Sequence, residues 1–151
     1  MLKSKQGSTE SPMSSDIMTA QDALVALMIA VSASDADIRT SELIKINSAI
    51  NNLPVFAGFD AERLPRVTQT VFDLLDQDDG LEALFGLIRD VLPERLFETA
   101  YALSCDVVAA DGTMDRTEAR MLEEIRDELS IDRLHAVAIE RGARARHMTL
   151  S

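Results

Sequence analysis

The chain has 151 residues, a formal net charge of −11 and an apolar content of 46%, but only 4% of its residues are aromatic. Because nucleic acids and anionic lipid surfaces are polyanions, this charge argues against both as partners. A single cysteine, Cys105, excludes an internal disulfide, and no apolar run reaches the length of a membrane span. With no recognisable signal peptide, we expect a cytoplasmic protein without membrane insertion.

A chain of this length can bury one core without a structural metal or a disulfide. The scarcity of aromatic residues and the absence of Trp favour helices packed through small and aliphatic side chains. We therefore predict a single compact all-α domain of about seven helices. Residues 1–15 are rich in Ser, Lys and other polar residues and are expected to form a flexible tail. The helical domain is placed at residues 16–147, with a short end at residues 148–151.

The first predicted helix begins near Asp16 or Thr19, because Thr19 and Asp22 have the spacing of a capping box. Its predicted apolar face consists of Leu24, Leu27, Met28 and Val31. A second helix ends before the breaker residue Pro54, and a loop follows it to Gly58.

Two more helices are predicted on either side of residues 76–80, whose sequence Asp-Gln-Asp-Asp-Gly ends one helix and starts the next. Pro93 is expected to open a fifth helix. A sixth is predicted to bury Leu122, Ile125 and Leu129.

The last predicted helix is capped by Ser130 and turns Leu134, Val137 and Ala138 inward. Its end is basic, and we expect that end to be exposed. Cations in a last helical turn offset the helix dipole, which explains the basic cluster without an anionic ligand. The cluster comprises Arg141, Arg144, Arg146 and His147.

An acidic pattern occurs twice, at residues 35–42 and 111–118. Each octet begins with Asp, has an apolar residue three positions later and a hydroxyl residue at the seventh position, and ends with a Glu seven residues after the Asp. Both octets follow an Ala-rich helical stretch and precede another helix, so each is placed at a corner between two helices. The repetition predicts two helical halves in a pseudo-two-fold arrangement.

Carboxylates gathered at such corners are the ligands that hard divalent cations prefer. Neither octet contains Cys or His, so Ca²⁺, Mg²⁺ or Mn²⁺ is favoured over Zn²⁺, and no organic cofactor is predicted. One shared site and two separate sites are both compatible with the pattern. The candidate ligands are Asp35, Asp37, Glu42, Asp106, Asp111, Asp115 and Glu118.

An EF-hand loop and helix capping both compete with a separate cation site at the octets. The second octet matches the later part of an EF-hand loop, but the first two acidic ligand positions would fall on Val107 and Ala109, so an EF-hand is not predicted. Helix capping is the stronger competitor, because Asp115 and Glu118 have capping-box spacing. Arg39 stands at the equivalent cap position of the first octet, which capping does not explain. Capping and cation binding can also coexist.

The sequence Val-Ala-Ala-Asp-Gly-Thr-Met-Asp-Arg-Thr-Glu at residues 108–118 resembles the motif of the TerB-like tellurite-resistance family, and residues 34–42 resemble its second copy. The resemblance covers about residues 20–140. It implies an all-helical bacterial domain linked to tellurite or stress resistance and binding a divalent metal through the acidic corners. Asp35, Glu42, Asp111 and Glu118 match the motif best, whereas Ala36 departs from the family's Gly.

Catalysis is not expected, because the sequence has no nucleophile and base in a recognised arrangement and no phosphate-binding loop. The leading hypothesis is a cation-binding module in stress resistance that also has a protein partner. The alternative is a metal-independent interaction scaffold, with the loop at residues 53–59 as its partner patch. The positions of Phe56 and Phe59 discriminate between core residues and an exposed patch.

Overall fold

The computed structural model describes residues 17–33, 40–110, 112 and 114–151. This part of the chain contains seven α-helices, three 3₁₀ turns and no strand, so the all-α prediction is confirmed. The predicted tail at residues 1–15 lies outside the described residues. The helices are α1 (Ala20–Ser32), α2 (Thr40–Asn52), α3 (Leu64–Leu75), α4 (Gly80–Val91), α5 (Phe97–Ala109), α6 (Arg116–Glu128) and α7 (Arg133–Arg146).

Helix α1 forms the centre of the bundle. Its predicted capping box is present: the Thr19 hydroxyl accepts a hydrogen bond from the Asp22 N–H, and the Asp22 carboxylate accepts one from the Thr19 N–H. Every residue from Asp22 to Ser32 is buried, so the helix is enclosed on all sides, which goes beyond the single predicted face. Helices α2, α3, α4, α5 and α6 all contact it.

The turn between α3 and α4 has the predicted bounds and depends on one glycine. Helix α3 ends at Leu75 and α4 begins at Gly80. A Cβ atom added to Gly80 would lie 1.7 Å from the carbonyl oxygen of Leu74, which no side chain can tolerate. The close approach of the two backbones therefore requires glycine at this position.

The loop after α2 fills the core. Phe56 is buried, Phe59 is partly buried against the core, and their rings meet edge to face at 5.9 Å between centroids. The Gln21 side chain of α1 donates hydrogen bonds to the carbonyl oxygens of Val55 and Ala57 and holds the loop in place. These aromatic residues are core residues, and the proposed partner patch at residues 53–59 loses its main support.

The fifth helix begins later than predicted. Pro93 precedes a 3₁₀ turn (Glu94–Leu96), and the α-helix starts at Phe97. Of the described helices, none is long and apolar enough to pass through a lipid bilayer.

Helix α6 ends in a Schellman motif that contains Ser130, the residue predicted to cap α7. The N–H of Ile131 donates to the carbonyl of Arg126 and that of Ser130 donates to Asp127, with Ser130 at a φ of 52°. The cap of α7 is Asp132, whose carboxylate accepts hydrogen bonds from two backbone N–H groups in the first turn. Ser130 as the cap was therefore a wrong prediction.

The orientation of α7 was also predicted wrongly. The helix packs on α5 with Ala136 and Ala143 buried, whereas Leu134 and Val137 are 75% and 48% exposed and Ala138 is exposed as well. Small side chains on the inner face allow the two helices to approach closely, and this packing outweighs the burial of the larger residues.

Candidate cation site

Two glutamates, one from each acidic octet, meet in the interior. Glu42 lies in the first turn of α2 and Glu118 in the first turn of α6, and each is only 1% exposed. The carboxyl group of Glu118 lies beside that of Glu42, close enough for the two to share a proton. The closing residues of the two octets are thus brought together.

Local capping positions Glu118. The Asp115 carboxylate accepts a hydrogen bond from the Glu118 N–H at 2.8 Å, and Glu118 Oε1 accepts one from the Asp115 N–H at 3.2 Å. This reciprocal capping box confirms that these two residues cap α6. The cap occupies only Oε1, however. Glu118 Oε2 is inaccessible to solvent and accepts no hydrogen bond from an N–H or O–H group of any described residue.

The backbone before α6 contains a glycine in a left-handed conformation. Gly112 has a φ of 81°, in the left-handed region that glycine enters at little cost. Its N–H donates to the carbonyl of Ala109 at the end of α5. A tight corner therefore leads from α5 towards the capping box of α6.

The electrostatics of the pair follow from burial and from like charge. Burial, and after it the hydrogen bond with the Glu42 carboxyl, raises the pKa of Glu118 to about 7. The Asp115 N–H opposes this shift but does not cancel it. Two adjacent buried carboxylates repel each other when both are ionised, so ionisation of one disfavours ionisation of the other.

The remaining candidate ligands are placed differently. Asp106 on α5 forms an ion pair with Arg146 on α7, with Asp106 Oδ1 and an Arg146 guanidinium nitrogen 2.5 Å apart. Asp35, Asp37 and Asp111 lie outside the described residues. Within residues 17–33, 40–110, 112 and 114–151, no group of three or more His, Cys, Asp or Glu side chains is arranged to hold a metal. The described part of the site thus consists of two carboxyl groups.

A second buried carboxylate was missed by sequence reasoning. Asp22 of α1 forms an ion pair with Arg63, whose Nε donates to Asp22 Oδ1 at 2.9 Å. Burial alone would raise the pKa of Asp22, but the hydrogen bonds from Arg63 and Thr19 outweigh it and hold that pKa below its ordinary value. Asp22 was recognised as a capping residue, but no local signal pointed to a partner 41 residues away.

Cys105 and His135 are the side chains whose chemistry best suits catalysis, and neither has a pKa shifted towards a reactive form. Burial raises the pKa of the Cys105 thiol to about 12, which keeps the sulfur protonated and unreactive. His135 is exposed, and its Nδ1 lies 2.7 Å from a carboxylate oxygen of Glu98, which raises the pKa of the imidazole.

Comparison with known proteins identifies the kind of domain. The family model described as "Tellurite resistance protein TerB" matches residues 21–141, which is most of the chain and includes both buried glutamates. Searches of curated proteins and of solved structures found no match.

Proposed function

The chain belongs to the TerB family of tellurite resistance proteins, and we propose that it is a divalent-cation-binding module acting in tellurite or related stress resistance. The observation that carries the proposal is the contact between the Glu42 and Glu118 carboxyl groups. A proton and a divalent cation are the two species that can relieve their repulsion, and a cation also takes up the oxygen that capping leaves free.

Some of the proposed ligands lie outside the part of the chain that the structure describes. Glu42 and Glu118 provide the buried base of the site, and we assign the remaining oxygens to Asp35, Asp37 and Asp111 of the same octets. Hard oxygen ligands of this kind suit Ca²⁺, Mg²⁺ or Mn²⁺ better than Zn²⁺.

The carboxylates of Asp106 and Asp115 already have partners within the chain. Arg146 engages the Asp106 carboxylate, and the first turn of α6 engages that of Asp115. We therefore give Asp115 the role of positioning Glu118. Either residue acts as a ligand only by exchanging its present partner.

We further propose a binding role without catalysis, in the cytoplasm. The protonated, buried thiol of Cys105 supports both statements, because it supplies no nucleophile and forms no disulfide. The metal-independent scaffold is the weaker alternative, since Phe56 is buried and Phe59 is packed against the core.

Thermal melts of chelated protein, repeated with Ca²⁺, Mg²⁺, Mn²⁺ or Zn²⁺, test the cation site. A ligand at 100 times its Kd adds about 2.7 kcal/mol, which corresponds to roughly 5 to 10 °C in a domain of this size. We expect this shift in the wild type and in Glu124→Gln, an exposed control on α6, and its loss in Glu118→Gln. Equal melts in all buffers, or a shift retained in Glu118→Gln, would contradict the site.

A further inference from the structure

We propose that the outer face of α7 is a docking surface for an acidic amphipathic helix of a partner protein. This surface is defined by Leu134, Val137, Arg141, Arg144 and Met148. Leu134, Val137 and Met148 are 75%, 48% and 71% exposed. Leu134, Val137 and Arg141 follow the i, i+3, i+7 spacing of one helical face, so two apolar side chains and an arginine lie on the same side of α7. Met148 follows the end of the helix.

Charge specifies the chemistry of the partner. Arg133, Arg141 and Arg144 are exposed along this helix, and none of them forms an ion pair with a described residue. In a chain with 26 acidic and 15 basic residues, unpaired arginines beside exposed apolar side chains form a local exception. At physiological salt the Debye length is about 8 Å, so a ligand lying on α7 senses these arginines more than the remote acidic surface. Of the two glutamates in the neighbouring cavity wall, Glu123 and Glu140, the second is paired with Arg126.

A cavity next to this face provides space for an anchoring side chain. Its volume is about 380 Å³, and Cys105, Val108 and Leu122 contribute to its apolar lining. Arg144 and Met148 belong both to the cavity wall and to the exposed face, so the two features are continuous. A helix lying along α7 could therefore insert one apolar residue and pair acidic residues with the arginines, as in helix-in-groove recognition.

The same features disfavour a membrane and a second copy as occupants. An anionic membrane presents an extended charged plane that would also meet the acidic remainder of the protein. A second copy docking by two-fold symmetry would bring together two patches that both carry Arg141 and Arg144, because such an interface uses the same patch on both partners. A narrow acidic helix avoids both repulsions.

The probe is a fluorescein-labelled helical peptide of about five turns (~18 residues) with Leu at i, i+3, i+4 and i+7 spacing and Glu elsewhere. A matched peptide carries Lys in place of Glu. By fluorescence anisotropy at physiological salt, we expect the Glu peptide to bind at least about tenfold more tightly than the Lys peptide. Equal affinities, or no binding of the Glu peptide, would overturn the proposal.

Variants locate the binding. Arg141→Glu with Arg144→Glu, and separately Leu134→Ser with Val137→Ser, are each expected to weaken binding by about tenfold or more. The exposed controls Arg95→Glu and Phe72→Ser should stay within about twofold of wild type, since surface changes away from a contact have small effects. All these variants should keep the wild-type melting temperature. Unchanged affinity in both double variants would overturn the assignment of the surface.

Two further measurements test a membrane and a second copy of the chain as alternative occupants of this surface. Binding to phosphatidylserine-containing vesicles that is lost in the same variants would replace a protein partner by a membrane. Self-association of the wild type in light scattering, abolished by Leu134→Ser, would replace it by a second copy. We expect neither.

Discussion

Two buried carboxylate sites in this bundle are neutralised in opposite ways. Asp22 has its countercharge within the chain, since Arg63 binds it and holds its pKa low. Glu118 faces another carboxyl group, Glu42, and its pKa is raised to about 7. Burial acts in the same direction on both groups, so the identity of the neighbour decides the outcome.

The contrast distinguishes a structural ion pair from a site proposed to bind a proton or a cation. The Asp22–Arg63 pair is complete and should be insensitive to metal ions. In the proposed role, the glutamate pair should respond to both protons and cations. Mutations and titrations can test each side of this contrast.

The largest effect is expected from Arg63→Met, which keeps the length of the side chain and removes the charge. Leaving the Asp22 carboxylate buried without its partner should lower the free energy of unfolding by about 3 kcal/mol. Because the folded-state pKa of Asp22 is depressed, the stabilisation is present above its unfolded pKa and is lost as pH falls through the folded pKa. Urea denaturation from pH 7 down to pH 3 should show the variant approaching wild type in acid. If the loss of stability in Arg63→Met depended on added cation, the distinction between the Asp22–Arg63 pair and the glutamate pair would be wrong.

The next effect concerns pH in the presence of a chelator. The folded-state pKa of Glu118 is raised, so its contribution to stability is fully present below the unfolded pKa near 4.5 and is lost as pH rises through about 7. Relative to Glu118→Gln, the wild type should therefore gain about 2 kcal/mol between pH 8 and pH 5. Parallel urea titrations of the two proteins measure this difference. Parallel curves would show that the pair is not strained at neutral pH.

A bound cation should reverse that dependence, because it competes with the proton for the same oxygens. We expect the cation-induced rise in melting temperature to be largest at pH 8 and to shrink by at least about half at pH 6, where the proton is favoured. Melts at both pH values with the cation that gives the largest shift test this. A shift independent of pH would place the cation away from Glu118.

Asp115→Ala separates capping from ligation and should have a smaller effect. Loss of an N-cap side chain costs about 1 kcal/mol, and we expect this loss equally with and without cation. The replacement Asp115→Asn, which can still cap, should recover most of the stability. A cation shift abolished in Asp115→Asn would instead restore Asp115 to the ligand set.

The smallest effect provides the reference for exposed charges. Arg89 and Glu128 form an ion pair with side chains 42% and 37% exposed, so Arg89→Met should cost less than about 1 kcal/mol. The measurement is the same urea titration used for Arg63→Met. Comparable losses in the two variants would show that burial does not distinguish the pairs.

Features fixed by a few neighbouring residues were predictable from the sequence. The capping boxes at Thr19 and Asp115 were both recognised from local spacing. The repeated octet also selected Glu42 and Glu118, which do meet. A two-fold relation between the halves stays a prediction.

Features set by long-range packing were not predictable in the same way. The orientation of α7 was wrong because helical spacing marks an apolar stripe without showing what covers it, and Ala136 and Ala143 pack inward in place of Leu134. The Asp22–Arg63 pair and the contact between the two glutamates join residues far apart in sequence. Local patterns carry no information on such pairings.

The enclosure of α1 limits how this domain can be divided. Because α1 contacts α2, α3, α4, α5 and α6, a fragment containing only one of the acidic octets would lack either this helix or much of its covering. Neither half is therefore a transferable module, and the chain should unfold in a single cooperative transition. The two octets repeat in the sequence, but only the whole bundle is expected to be stable on its own.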